Sequence, residues 1–230
     1  EVVARCIYGV DINPMAIELA KVSLWLEAME PGKPLSFLDA HLKVGNALLS
    51  ATPKLLAGGL PDEAFTPTES DDREWVGKLK KRNKDEREEY ERRRRGIAQN
   101  ELFSVAGLRV GNNGLACRAI EILNSRNGGL SAIRAQAAAY RQMQRSSEYL
   151  VNKEIADAWC AAFVCTKTPE GAPVVTTRTL LDLREGAEKV DESTRLEIRR
   201  LAAQYRFFHW HLEFPEIFRV PDDENDPAID

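Results

Sequence analysis

Two short apolar runs with a helix start between them, all within the first fifty residues, constrain the fold most. Residues 6–10, CIYGV, are apolar and partly β-branched, which predicts a buried strand closed by Asp11. Asn13 can cap a helix over residues 14–29, and the proline in its first turn loses no hydrogen bond. A second strand is predicted at residues 42–44. A strand, a helix and a strand in so short a span predict a right-handed parallel crossover.

The middle of the chain is predicted to be helical. Residues 51–70 are rich in Pro, Gly and Thr and indicate a loop or linker. A charge run at residues 71–95 favours an exposed helix with ion pairs four residues apart, such as Glu74 with Lys78. Residues 107–114 are interpreted as a loop leading into a helix. Apolar residues at helical spacing predict three further helices, at residues 132–145, 151–165 and 192–205.

An aromatic segment follows these helices. In residues 208–214 apolar and polar side chains alternate, which is typical of a strand with one buried face. The polar set, His209, His211 and Glu213, has the types and spacing of a metal site. The polar face of an edge strand produces the same pattern, and we therefore predict no metal.

Composition excludes several classes of protein. The 230 residues are 43% hydrophobic and 30% charged, which is typical of a folded globular chain. The net charge of −4 counts against a free-standing DNA-binding domain, since such domains are usually basic. Four scattered cysteines without a C-x-x-C pair predict neither a disulfide framework nor a zinc site. No signal peptide or membrane span is found, and a cytoplasmic location is expected.

Three segments of the chain belong together: YGVDINPMAIELAK at residues 8–21, HLKVGNAL at residues 41–48 and FFHWHLEFPEIF at residues 207–218. In this order they resemble segments of the amino-methylating DNA methyltransferases of large restriction-modification and phage-defence (BREX-like or DISARM-like) systems. The resemblance implies S-adenosylmethionine as cofactor and transfer of its methyl group to the exocyclic amine of adenine in duplex DNA.

The resemblance also implies roles for particular residues. Asp11 would hold the cofactor ribose and Ile12 would pack on the cofactor adenine. Asn46, with Ala47 after it, would lie at the edge of that adenine. The basic run Arg92, Arg93, Arg94 and Arg95 could contact DNA phosphates, although a solvated helix end also favours basic residues.

The expected fold class is α/β but predominantly helical: an incomplete Rossmann-like methyltransferase core, a parallel β-α-β unit, with a large helical insertion. The predicted divisions are a partial cofactor-binding core at 1–50, the insertion at 51–206, a strand returning to the core at 207–220 and an acidic tail at 221–230.

The family's Gly-rich cofactor loop and its N-P-P-Y/F catalytic loop have no counterpart in these residues. We therefore expect an internal piece of the enzyme, inactive alone and without catalytic residues, whose partners are the remainder of the same chain and DNA. Two alternatives remain open: a helical interaction or scaffold module, which predicts no parallel pairing of the two strands, and a fragment of an RNA or small-molecule methyltransferase.

Overall fold

A computed structural model describes residues 2–28, 37–98, 108, 111–125 and 129–221. The described part is mostly helical, with a single two-stranded sheet. None of its helices is both long enough and apolar enough to cross a bilayer. The predicted acidic tail lies outside the described residues, except for Pro221.

The helices and strands are numbered in chain order. The strands are β1 (Gly9–Asp11) and β2 (Leu42–Val44). The helices are α1 (Val2–Arg5), α2 (Pro14–Glu27), α3 (Pro53–Ala57), α4 (Arg73–Ala98), α5 (Asn113–Asn124), α6 (Leu130–Gln144), α7 (Ser147–Val164), α8 (Thr177–Glu185), α9 (Glu192–Tyr205) and α10 (Trp210–Glu213).

The chain divides into two compact units. Unit 1 comprises residues 1–50, 111–150 and 206–230, and unit 2 comprises residues 51–110 and 151–205. Residues 111–150 therefore belong with the front of the chain, whereas the sequence analysis placed them in one insertion with the rest of 51–206. Each unit is described separately below.

Unit 1 is built around the predicted parallel pair. Strand β1 pairs with β2 in parallel, with Gly9 opposite Leu42 and Asp11 opposite Val44. Helix α2 connects them, and its Ile17 packs with Leu42 in a small apolar core. The parallel crossover predicted from the sequence is confirmed, and the scaffold alternative, which predicted no such pairing, is contradicted.

The first strand begins later than predicted. Residues Val2–Arg5 form α1, and the backbone N–H of Cys6 extends that turn by donating to the carbonyl of Val2 at 2.8 Å. The apolar run CIYGV is therefore strand only from Gly9, where the backbone N–H donates to the carbonyl of His41 at 2.9 Å. The prediction of a strand from Cys6 was wrong because that residue is exposed and helical hydrogen bonding continues to it.

Unit 2 is a helical body in which α4 has a buried face. Val76 and Leu79 lie in its core, and the fully buried Asn83 donates to the carbonyl of Leu60 at 2.8 Å. The side-chain oxygen of Asn83 accepts hydrogen bonds from the backbone and hydroxyl of Thr177, at 2.8 and 2.9 Å. The predicted helix is thus confirmed, together with the Glu74–Lys78 ion pair, but it is not exposed on all sides.

Residues 51–70 are largely outside regular helices, as predicted, but they contain the short helix α3 and pack several side chains into a core. Thr52 caps α3 by accepting from the backbone N–H of Leu55 at 3.3 Å, and Pro53 occupies the first helical position. Leu56, Leu60 and Phe65 are almost fully buried. Pro and Gly here begin and end a short helix, which their frequency alone does not distinguish from a loop.

The strand predicted at residues 208–214 was also wrong. Only Phe207 bridges the sheet, in parallel with Asn46, and residues Trp210–Glu213 form α10. The alternation suggested one polar face, but His209 and His211 are buried, whereas Trp210 between them is only half-buried. A segment buried on both sides is not restricted to the strand period.

Candidate functional site

Four residues predicted to bind cofactor lie where the two strands end. Carboxyl ends of parallel strands meet at one edge of a sheet, and the backbone N–H of Gly45 donates to the carbonyl of Asp11 at 2.9 Å. Asp11 and Ile12 therefore lie beside Asn46 and Ala47. We call these four residues the strand-end edge.

The carboxylate of Asp11 is exposed at this edge. One of its oxygens accepts from the backbone N–H of Asn13 at 2.7 Å, and no donor among the described residues reaches the other. The helix cap is supplied by Asn13, whose side-chain oxygen accepts from the backbone N–H of Met15 at 3.0 Å. Asp11 thus shapes the turn with one oxygen and presents the second to solvent.

The other residues of the edge are accessible to different extents. The side chain of Ile12 is 53% exposed, whereas Asn46 and Ala47 are half-buried. The side-chain oxygen of Asn46 accepts from the backbone N–H of Leu48 at 3.1 Å, which leaves its amide N–H groups as donors. The edge therefore combines an anionic acceptor, an apolar surface and an amide donor.

Arg206 joins the two halves of the strand-end edge, and sequence reasoning did not identify it. Its carbonyl accepts from the backbone N–H of Asn46 at 2.7 Å, and its guanidinium donates to the carbonyl of Ile12. Its φ of 53° is the one left-handed value at a non-glycine residue in the described part of the chain. Arg206 follows α9 directly, where a left-handed residue commonly ends a helix.

Gly45 permits the aromatic segment to approach the edge. A Cβ atom at this position would lie 2.4 Å from Cδ2 of Phe208, so any larger residue would displace that ring. The backbone N–H of Phe208 donates to the carbonyl of Leu49 at 3.0 Å, and the indole N–H of Trp210 donates to the carbonyl of Ala47 at 3.2 Å. The second and third segments of the resemblance are therefore in direct contact.

A buried polar cluster holds β2 on the side away from solvent. The ammonium of Lys43 donates to the hydroxyl of Tyr140 at 2.6 Å and to Oε2 of Glu213 at 3.0 Å. The hydroxyl of Tyr149 donates to Oε1 of the same carboxylate at 2.6 Å. Side-chain exposure is 7% for Lys43 and 15% for Glu213. These bonds tie β2 to α6, α7 and α10.

Burial and neighbouring charges shift the pKa values in and beside this cluster. Burial alone would lower the pKa of Lys43, but the carboxylate of Glu213 and the hydroxyl of Tyr140 raise it above its ordinary value. Burial, reinforced by the neighbouring His209, lowers the pKa of His211 to about 3. Lys43 is therefore charged and His211 neutral near pH 7.

The other predicted site residues do not join the strand-end edge. Arg92 and Arg93 are exposed on α4 in unit 2, and Arg93 pairs with Glu89. The side chains of Arg94 and Arg95 lie outside the described residues. His209, His211 and Glu213 do not form a metal-binding group, and the structure as far as it is described contains none.

Comparison with known proteins identifies one family. The family model described as Eco57I restriction-modification methylase matches residues 5–226. No curated protein and no solved structure matches the chain. The matched range includes the strand-end edge, Arg206 and the aromatic segment.

Proposed function

The chain belongs to the Eco57I restriction-modification methylase family, and from that premise we propose that it binds the ribose and adenine of S-adenosylmethionine in an adenine-specific DNA methyltransferase. The enzyme would transfer the methyl group to the exocyclic amine of adenine in duplex DNA. Membership of a BREX-like or DISARM-like defence system and a cytoplasmic location belong to the same proposal.

The observation that carries the proposal is the composition of the strand-end edge. A carboxylate accepts hydrogen bonds only, so the open oxygen of Asp11 suits the hydroxyl groups of a ribose. The exposed side chain of Ile12 suits the face of an adenine ring, and the amide donors of Asn46 suit its ring nitrogens. These three groups follow the ends of neighbouring parallel strands, where nucleotides bind in open α/β sheets.

S-adenosylmethionine would supply the methyl group, and the residues of this chain would bind and orient it. Asp11 would fix the ribose, because two charge-assisted hydrogen bonds restrict both its position and its rotation. Ile12 and Asn46 would fix the adenine, one by apolar contact and one by hydrogen bonding. The residues that contact the target adenine are expected in the N-P-P-Y/F loop, which this chain does not contain.

The alternative substrates, RNA and small molecules, can be distinguished from DNA by the product that is methylated. An RNA or small-molecule methyltransferase would use the same cofactor groups, since the strand-end edge does not contact the acceptor. Methyl transfer by the full-length protein to duplex DNA, duplex RNA and adenine nucleotides, followed by nucleoside mass spectrometry, distinguishes the three. Formation of N6-methyladenine in DNA alone is the expected result.

The cofactor role of Asp11 can be tested with two variants of the full-length protein. Each hydrogen bond to the carboxylate contributes about 1.5–3 kcal/mol. Asp11→Ala should therefore weaken cofactor binding at least about tenfold, since about 1.4 kcal/mol corresponds to that factor. Asp11→Asn should weaken it less, because the amide keeps one acceptor. Calorimetric titration with S-adenosylmethionine measures both effects.

Asp39→Asn is the matched control, because its exposed carboxylate also lies in unit 1 but pairs with Lys21 at 2.7 Å. Melting curves test whether folding is preserved, as expected while Asn13 still caps α2. If Asp11→Ala binds the cofactor as tightly as the unmodified protein, Asp11 is only a turn residue and the proposed binding edge is wrong.

A further inference from the structure

A basic stripe lies on the outer face of α6. Residues 122–147 contain four arginines and no aspartate or glutamate, although the whole chain has a net charge of −4. Arg126 lies outside the described residues, and the other three, Arg134, Arg141 and Arg145, are exposed. We call these three residues the α6 basic stripe.

Helix geometry places the three arginines in a line. With 3.6 residues per turn, a separation of seven residues brings Arg141 within about 20° of Arg134 around the helix axis, and Arg145 follows one turn later as the C-cap residue of α6. At a rise of about 1.5 Å per residue the stripe is about 16 Å long. No carboxylate in the described part of the chain pairs with any of the three, in contrast to the ion-paired arginines of α9.

The stripe borders an open groove between α5 and α6. The groove has a volume of about 660 Å³ and small residues, Ala138 and Ala139, line its α6 side. Arg141 and Arg145 line it as well. The charges that α5 brings to it are Arg118, which pairs with Glu148, and Glu121.

Interaction with the helix dipole explains only part of this arrangement. Basic residues are favoured in the last turn of a helix, which accounts for Arg141 and Arg145. It does not account for Arg134 in the second turn, nor for the exclusion of carboxylates from residues 122–147. A linear series of unpaired arginines is the arrangement that binds a regularly spaced row of phosphates.

We propose that the α6 basic stripe binds the phosphate backbone of duplex DNA. The inference rests on the proposed function and specifies where its substrate is held. Duplex rather than single-stranded DNA is favoured, because binding of single strands relies on aromatic side chains that stack with bases. The groove lining contains none, and the aromatic residue of α6, Tyr140, is buried against Lys43.

Anchoring of α6 supports a positioning role for the stripe. Tyr140 faces inward and accepts from Lys43 on β2, the strand that leads to Asn46. The helix that presents the arginines is thereby fixed to the strand that ends at the proposed cofactor edge. Phosphates bound along the stripe would be held at a constant distance from that edge.

The test measures binding of a random-sequence duplex to the full-length protein by fluorescence anisotropy at several salt concentrations. In the triple variant Arg134→Gln, Arg141→Gln and Arg145→Gln, each lost phosphate contact should reduce the slope of log K against log salt by about 0.9. The total change of about 2.7 corresponds to a loss of about 500-fold in affinity near 0.1 M salt, relative to 1 M. Glutamine has nearly the helix propensity of arginine, so α6 should remain folded.

Three further variants separate charge from structure. Replacing the same arginines with lysine should preserve the salt slope. Glu121→Gln should tighten DNA binding, because it removes a negative charge from the lining of the groove. Arg200→Gln on α9 is the control, since that arginine already pairs with Glu197 at 2.6 Å and should leave DNA binding unchanged.

Cofactor titration distinguishes failure of this inference from failure of the proposed function. In the triple glutamine variant, cofactor affinity should be unchanged. The α6 proposal would be overturned if the triple glutamine variant bound duplex DNA as tightly as the unmodified protein, or if it lost affinity mainly for duplex RNA. Neither result would affect the proposal that the strand-end edge binds the cofactor. Cofactor binding without any duplex DNA binding by the unmodified protein would overturn both the α6 proposal and the proposed DNA substrate.

Discussion

Substitution of Arg206 separates the backbone role of this residue from the role of its side chain. A left-handed conformation costs a non-glycine residue roughly 1–2 kcal/mol, and glycine avoids most of that cost. Arg206→Gly should lose the guanidinium bond to Ile12, worth about 1 kcal/mol, and recover a similar amount from the backbone. Its stability should therefore stay within about 0.5 kcal/mol of the unmodified protein.

Arg206→Ala should behave differently, because it loses the same bond and keeps the strained backbone. We expect it to be about 1 kcal/mol less stable than Arg206→Gly. Cofactor binding should weaken to the same extent in both variants, about three- to tenfold, because both release the carbonyl of Ile12. Urea unfolding measures the first difference and calorimetric titration the second.

The two measurements test separate roles of Arg206, one of its side chain and one of its backbone. If both variants bind cofactor normally, the bond from Arg206 to Ile12 has no positioning role. If the alanine and glycine variants are equally stable, the left-handed backbone does not store the expected strain. Arg200→Ala on α9 is the matched control, since it removes an exposed arginine that pairs with Glu197 rather than with the edge.

Two further predictions concern the buried polar groups of unit 1. Lys43→Met should lower the free energy of unfolding, measured by urea titration, by about 3–5 kcal/mol, because it leaves the carboxylate of Glu213 buried without the ammonium of Lys43. Adding Glu213→Gln to this variant should restore part of the lost stability. Strictly additive effects of the two substitutions would contradict this prediction. The pKa of His211 is lowered to about 3, so the unfolded chain takes up a proton that the folded chain does not. Stability from this group is complete above about pH 6.5 and falls by about 1.4 kcal/mol per pH unit as the pH drops towards 3. His211→Asn should remove that component of the slope in unfolding measured from pH 7 to pH 4, and an unchanged slope would refute the assignment.

The fold of residues 9–44 could be predicted because the sequence patterns that specify it lie within a few residues of one another. Asn13 and Pro14 specify the start of α2 within two residues, and the short crossover leaves few arrangements other than a parallel pair. Helices α4, α6, α7 and α9 were likewise predictable from residue spacing, and α9 has the predicted bounds, whereas α3 and α8 were not predicted and only the start of α5 was. The proximity of the four residues of the strand-end edge could be predicted from the parallel pairing of the two strands alone.

The remaining features depend on residues far apart in the chain. Lys43 is a charged residue in a strand, and its burial requires Tyr140 and Glu213, which are 97 and 170 residues away. Arg206 adopts a left-handed backbone that its residue type does not favour, and its partners are Ile12 and Asn46. Patterns within a few residues carry no information about such pairs.

Lys43 connects the two proposed binding regions of unit 1. It lies on β2, which leads to Asn46 at the strand-end edge, and it holds Tyr140 on the inner face of α6. Loss of the cation should therefore weaken cofactor and DNA binding together. The Arg206 variants should affect cofactor binding alone, and loss of the α6 basic stripe should affect DNA binding alone. If Lys43 contributed only to overall stability, restoring the melting temperature of the variant with added osmolyte would restore both affinities; a positioning role predicts that both affinities stay weakened.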